Sequence, residues 1–110
     1  MTVLELEPGA ELLAVYPLLA AEFGQDLSLN QFQARAEAMA REGGRWFSLW
    51  VDDLPVSAAC AAVRTDLSNG THLHVCELAT DPAHRGRGHG RALVRHLEAW
   101  GRQQGCTRVV

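Results

Sequence analysis

Three glycines and three arginines stand together in the segment HRGRGHGRAL, residues 84–93, directly before a regular apolar stripe. Each glycine disfavours a helix by roughly 1 kcal/mol relative to alanine, and arginines have the wrong sign for a helix N-terminus. A bound anion removes this conflict, because glycines let backbone N–H groups approach it and the unpaired N–H groups of a helix start point towards it. The segment therefore predicts a phosphate-binding loop, reinforced by Arg85 and Arg87.

Two common phosphate-binding patterns do not fit this segment. It lacks the Gly-Lys-Ser/Thr ending of a P-loop. Arg91 stands where the dinucleotide-binding fingerprint has its last glycine, and no acidic residue follows at a distance of about 20 positions. We therefore expect a different phosphate ligand, the alternative being an exposed Arg-Gly turn that binds nothing.

Two side chains on the strand predicted over 72–80 could accept a proton. Glu77 has apolar neighbours, and burial there would raise its pKa, whereas His74 titrates near neutral pH without help. The two positions have opposite parity, so only one of them faces a given side of the sheet unless a bulge intervenes. Glu77 is the slightly preferred base, with a purely structural role as the alternative for both.

Metal chemistry is not expected from the remaining histidine and cysteine pattern. His72, His74 and Cys76 share one face of the same strand, but side chains spaced by two point in parallel and are poorly placed to bind one ion. Cys60, Cys76 and Cys106 show no metal-finger spacing and are expected to be reduced, buried thiols.

The elements that must position these residues follow from the hydrophobic periodicity. The expected order is β-α-α-β-β-β-α-β, an α/β or α+β fold with a mixed sheet. Pro17 should kink or split the first helix, Gly24 should close it, and Asp81-Pro82 should end the strand before the glycine-rich loop. Strands are predicted over 2–6, 45–51, 55–65, 72–80 and 106–110, and the first helix over 10–23.

The other two helices carry clear end signals. Ser28 and Gln31 form a capping-box pattern at the start of the second helix, and Gly43-Gly44 ends it. Gly105 is the stop signal of the helix that follows the loop. The buried faces are expected to consist of Leu29, Phe32, Ala36 and Met39 in the second helix and of Leu93, Val94, Leu97 and Trp100 in the third.

The overall composition limits the class of protein. A chain of 110 residues is expected to form a single domain over 1–110. Its net charge of −3, with no lysine, argues against a nucleic-acid partner. We expect no membrane segment and no signal peptide, and hence a cytoplasmic protein.

The segment ELATDPAHRGRGHGRALVRHLEAWGRQQGCTRVV, residues 77–110, resembles the core of the GNAT superfamily of acetyl-CoA-dependent N-acetyltransferases. The family signature Arg/Gln-x-x-Gly-x-Gly/Ala is matched by Arg85, Gly88 and Gly90. The preceding strand, the proline and the Leu-rich helix stand where the family has them. The upstream element order also fits, so the resemblance covers essentially all 110 residues.

The resemblance implies a site for acetyl-CoA and an amine acceptor, without a metal. The loop amides hold the pyrophosphate of coenzyme A, and the backbone of Leu78, Ala79 and Thr80 pairs with the pantetheine arm, where the sheet splays away from 106–110. An amide near Leu78 would polarise the thioester carbonyl. The base remains open between Glu77, His74 and a water chain. The loop residues concerned are Arg85, Gly86, Arg87, Gly88, His89, Gly90 and Arg91.

The sequence departs from the family pattern after residue 110. Family members continue with a helix and a β-hairpin, and that helix often carries the tyrosine that reprotonates the departing thiolate. The only tyrosine here is Tyr16, in the first helix. We therefore expect a GNAT-like domain that is incomplete at its C-terminal end, and a homodimer that pairs around 106–110.

Two functions are compatible with these features. The first is acetyl transfer to a primary amine of a small molecule or a protein by direct attack. The second is a catalytically weak acyl-CoA-binding or assembly module that lacks the acceptor half. Trp46, Trp50 and Trp100 are expected in the core, although Trp46 or Trp50 could line an acceptor pocket.

Overall fold

The computed structural model describes residues 1–23 and 27–110. Within these residues, four strands form an antiparallel sheet in the order β1-β2-β3-β4. The strands are β1 (Thr2–Leu6), β2 (Arg45–Val51), β3 (Leu54–Asp66) and β4 (Gly70–Thr80). The helices are α1 (Tyr16–Phe23), α2 (Leu29–Arg41) and α3 (His89–Gln103), with 3₁₀ turns over Ala10–Val15 and Pro82–His84.

The helices pack on both faces of the sheet, and β3 lies between them. Ala58 and Cys60 contribute to the cluster under α1 and α2, whereas Ala59 and Ala61 contribute to the cluster under α3. All four are fully buried. The small residues of β3 therefore allow close packing on both sides.

The region predicted as one helix over 10–23 is divided in two. A 3₁₀ turn covers Ala10–Val15, and α1 starts at Tyr16. Pro17 is the second residue of α1, where its missing N–H would have no partner inside the helix. The expected split is confirmed, whereas a continuous α-helix from residue 10 is wrong. Gly24, the expected end of this helix, lies outside the described residues.

The capping box predicted at the start of α2 is confirmed. Gln31 N–H donates to Ser28 Oγ at 3.1 Å, and Ser28 N–H donates to Gln31 Oε1 at 2.9 Å. Phe32 and Ala36 are buried on the expected face. Leu29 is 43% exposed, so its assignment to the buried stripe is wrong: it is the first residue of α2.

The segment after α3 is attached to β4 without becoming a regular strand. Gly105 has a φ of +90°, as a C-terminal stop requires. Beyond it, Leu73 and Val109 form an isolated parallel bridge. Leu73 N–H donates to the Arg108 carbonyl at 2.9 Å, and Val110 N–H donates to the Leu73 carbonyl at 2.7 Å. The strand predicted over 106–110 is thus reduced to one bridge beside β4.

Candidate active site

The loop before α3 presents unpaired backbone N–H groups. Gly86 and Gly88 have φ values of +79° and +82°, which L side chains rarely adopt. Gly88 is the N-cap of α3 and provides no side-chain cap. The first helical hydrogen bond of α3 runs from the Ala92 N–H to the Gly88 carbonyl at 2.9 Å. The N–H groups of the four preceding residues, 88–91, therefore have no partner within the helix. These unpaired N–H groups are the kind of donors that an anion-binding loop needs, and anion binding itself stays a prediction.

Gly90 is required for a different reason than its neighbours. Its φ lies outside the left-handed region, unlike those of Gly86 and Gly88. A Cβ at this position would lie 3.2 Å from Thr80 Oγ1, and that hydroxyl is 3.2 Å from Ser57 Oγ. Gly90 thus allows the first turn of α3 to lie against the end of β4.

A cavity of about 390 Å³ opens at this junction. Thr80 contributes from β4, and Arg91 contributes from α3. Arg87 is exposed and lies outside the lining set, unlike the other predicted loop residues. The cavity is lined by Thr80, His84, Arg85, Gly86, Gly88, His89, Gly90 and Arg91.

Side chains around the loop fix its path from β4. Asp81 Oδ2 lies 2.9 Å from His84 Nδ1, and this hydrogen bond is the main cause that lowers the pKa of Asp81. Arg85 Nε donates to the Thr80 carbonyl at 3.3 Å, and its Nη2 donates to Glu22 Oε2 at 3.1 Å. The signature arginine is therefore held between β4 and α1.

A β-bulge on β4 changes which residues share a face. Cys60 pairs with Glu77 and Ala61 pairs with Val75, so Cys76 is an extra residue on β4. His74 lies opposite Ala62, on the same face as Cys60 and Glu77. The bulge therefore places His74 and Glu77 on one side of the sheet, which simple alternation would forbid.

The same bulge determines which backbone groups of β4 face outwards. Asp81 N–H donates to the Val56 carbonyl at 2.8 Å, which aligns Asp81 with β3. Because antiparallel strands alternate, the N–H and C=O groups of Leu78 and Thr80 point away from β3. The contacts with the C-terminal segment involve β4 only at residues 71–75. Leu78 to Thr80 therefore form an open edge that ends at the loop.

Glu77 lines a cavity of about 350 Å³ between the sheet and the first two helices. The walls are mostly apolar, and Trp46 is one of them, as the sequence allowed. Burial raises the pKa of Glu77, and the nearby Glu22 carboxylate raises it further. The cavity is lined by Leu19, Leu27, Phe32, Arg35, Ala36, Met39, Trp46 and Glu77.

His74 opens into a separate and smaller cavity. It has a volume of about 120 Å³ and is also lined by Glu42, Arg64 and Cys76. The shared face therefore does not bring His74 and Glu77 into one space. Of the two predicted bases, Glu77 is the one beside a cavity of ligand size.

Tyr16 and the cysteines occupy structural positions. Tyr16 donates from its hydroxyl to the Leu27 carbonyl at 2.8 Å, and its ring centroid is 5.4 Å from that of Phe32. Burial raises the pKa of the Cys60 thiol to about 12. Cys76 is only half-buried, which corrects the expectation of three buried thiols, because the bulge turns it partly outwards.

Two charged residues of the site were not predicted from the sequence. Glu22 and Arg35 come from helices far from β4 in sequence, and only the packing brings them to Arg85 and Glu77. Their own helices carry no local pattern that marks them as functional. Among residues 1–23 and 27–110, no group of three or more His, Cys, Asp or Glu side chains could hold a metal ion.

The fold is that of a mixed α/β protein with helices on both faces of an antiparallel sheet. Residues 12–110 match the model of the Acetyltransferase (GNAT) family. The chain therefore belongs to the GNAT family, and the resemblance seen in residues 77–110 is confirmed. A comparison with curated proteins finds no match.

Solved structures share the fold over nearly the whole chain. A putative acetyltransferase from Agrobacterium tumefaciens is 24% identical, with a TM-score of 0.81, over 100% of this chain and 79% of that one. The aminoglycoside antibiotic 6'-N-acetyltransferase from Acinetobacter haemolyticus is 21% identical, with a TM-score of 0.78, over 99% and 77%. AAC(6')-Iy, in complex with the bisubstrate analogue CoA-S-monomethyl-acetylneamine, is 18% identical, with a TM-score of 0.79, over 99% and 76%.

Among the described residues, no helix is both long and apolar enough to cross a bilayer.

Proposed function

We propose that this protein transfers the acetyl group of acetyl-CoA to a primary amine of a small molecule or a protein. One observation carries the proposal: the open edge of β4 at Leu78 and Thr80 lies between the uncapped start of α3 and the carboxylate of Glu77. The proposed anion site, the strand edge and the proposed base thereby all lie within residues 77–91. The complex of AAC(6')-Iy with a CoA bisubstrate analogue supports the cofactor.

The residues of the loop fit coenzyme A. Pyrophosphate needs several donors at short range, and the N–H groups of residues 88–91 together with the Arg85 guanidinium supply them. The peptide groups of Leu78 and Thr80 would pair with the amides of the pantetheine arm as a further strand does. Arg87 would add positive charge without lining the cavity.

The chemistry at the acyl group would depend on two neighbouring residues of β4. Acetyl-CoA, when bound, supplies a thioester whose C–S bond breaks as the acceptor nitrogen takes the acetyl group. The Leu78 N–H would donate to the carbonyl oxygen, where negative charge develops. Glu77 would accept the proton that the ammonium group must lose, and its raised pKa makes it a better base near neutral pH. His74 or a water chain is the alternative base.

A second function has a specific observation in its favour. Among the described residues, the Tyr16 hydroxyl is engaged by Leu27 and lies in α1, so it is not available to return a proton to the CoA thiolate. An acyl-CoA-binding or assembly module with weak turnover is therefore the alternative.

We also propose that residues 1–110 form one domain, that the protein is cytoplasmic, and that two copies associate around 106–110.

Two measurements, made one after the other, test the proposal. Acetyl-CoA at 100 times its dissociation constant should stabilise the protein by about 2.7 kcal/mol, which a thermal melt detects. Free thiol released from acetyl-CoA across a panel of amines then reports transfer. A melting shift with no thiol release favours the binding module. No melting shift at millimolar CoA, with the protein folded, contradicts both functions.

A further inference from the structure

The cavity in front of Glu77 has few polar groups for its size. Of the described residues that line it, only Arg35 and Glu77 carry a charge, and the rest are apolar. The Trp46 indole N–H is directed to the Ala36 carbonyl at 3.4 Å, so it is turned to α2. The cavity thus offers one carboxylate, one guanidinium and an apolar wall.

We propose that the acceptor is a small amine with an aromatic or other apolar body and a carboxylate at the end remote from the amine. This inference rests on the proposed acetyl transfer and on the cavity of Glu77 being the acceptor site. The amine would lie at Glu77, the apolar body against Phe32 and Trp46, and the carboxylate at Arg35.

The shape and composition of the wall favour an apolar body. Phe32 and Trp46 both line the cavity, and their ring centroids lie 6.3 Å apart in an edge-on arrangement. Only 3% and 2% of these residues are exposed, so they offer an acceptor an apolar wall and not a stacking surface. A volume of about 350 Å³ is at the small end of ligand pockets, which favours a compact molecule.

The two charges lie at different parts of the cavity. Glu77 belongs to β4 at the sheet, whereas Arg35 is an exposed residue of α2. An acceptor that bridges both must therefore carry its amine and its anion at opposite ends, and guanidinium binds carboxylate in a fixed two-bond geometry.

The same cavity is poorly suited to a polycationic sugar. An aminoglycoside carries several ammonium groups, but within residues 1–23 and 27–110 the lining offers one carboxylate, and the guanidinium repels further cations. Sugar hydroxyls would also lose water against an apolar wall without new hydrogen bonds. Although AAC(6')-Iy is held with an acetylneamine analogue, we infer a different acceptor for this chain.

Matched acceptors test this inference on the full chain with acetyl-CoA. We expect kcat/KM for 4-(aminomethyl)benzoate to exceed that for benzylamine by about tenfold, the lower end for a hydrogen bond to a charged group. Kanamycin should be the poorest of the three. Arg35→Gln should reduce the benzoate-to-benzylamine ratio to near one, and Arg41→Gln, an exposed change on the same helix, should keep it.

The outcomes separate this inference from the proposed function. Acetylation with kanamycin as the best acceptor, or a ratio unchanged by Arg35→Gln, overturns the inference and leaves acetyl transfer intact. If no amine is acetylated, the inference is tested by binding instead: the change in melting temperature that each of the three amines causes in the CoA complex is measured. A larger shift with 4-(aminomethyl)benzoate that Arg35→Gln removes supports the acceptor class, and equal shifts contradict it.

Discussion

Arg85 and Glu22 form an ion pair at 3.1 Å between the loop after β4 and helix α1. The same Glu22 carboxylate raises the pKa of Glu77, so one acidic residue contacts the glycine-rich loop and acts on the candidate base. Both partners are substantially exposed, and the pair itself adds little stability. Its significance is positional, because it links the two halves of the proposed site.

Replacement of Glu22 should show its effect on Glu77. In Glu22→Gln the like charge near Glu77 is lost, so the pKa of Glu77 falls and the acid limb of the kcat/KM profile moves to lower pH. Burial, the larger cause, remains, and the pKa should stay above its ordinary value. Glu98→Gln on α3, on the other side of the sheet, should leave the profile in place. An acid limb that does not move would show that Glu77 is not the titrating base.

Glu77 itself should oppose stability while it supports activity. A carboxyl with a raised folded-state pKa binds its proton more tightly in the folded protein than in the unfolded chain. The stability that this proton provides is lost as pH rises through the folded pKa. Glu77→Gln should therefore match the original protein in acid and become the more stable of the two above neutral pH. Acetyl transfer should fall by about 10²-fold or more. Urea unfolding at pH 4 and pH 8 measures the first effect, and a constant difference between the two proteins would contradict it.

The local sequence predicted most elements, but not the site that packing completes. The Ser28–Gln31 cap, the Pro17 split and the glycine loop are set by neighbouring residues, and each was found where expected. The bulge at Cys76 has no local signal, because it depends on how β4 pairs with β3. Glu22 and Arg35 reach the site only through tertiary packing, and the same is true of the contact between Gly90 and Thr80.

The loop glycines should respond differently to alanine. Gly88→Ala forces a side chain to a φ of +82° and should cost about 1 to 2 kcal/mol of stability, with weaker CoA binding. Gly90→Ala has an ordinary helical φ and requires only that Thr80 move, so its main effect should be on CoA affinity.

Valine at either position, 88 or 90, should abolish CoA binding. Gly43→Ala, also at positive φ but outside the site, should lose stability and keep CoA affinity. Normal CoA binding by both valine variants would exclude the loop as the phosphate site.

The segment 106–110 should mediate association of two copies. One edge of this segment is hydrogen-bonded to β4, and its other edge is left for another strand to pair with. Val109 and Val110 are 40% and 52% exposed, so apolar side chains are available there as well. Light scattering at micromolar concentration should report a dimer. Val109→Lys should shift the protein towards the monomer, because a charged residue on an edge opposes strand pairing. Leu67→Lys, in the exposed turn between β3 and β4, is the matched control and should stay dimeric. A monomeric original protein with residues 106–110 protected from hydrogen exchange would show that this edge is already satisfied within one chain.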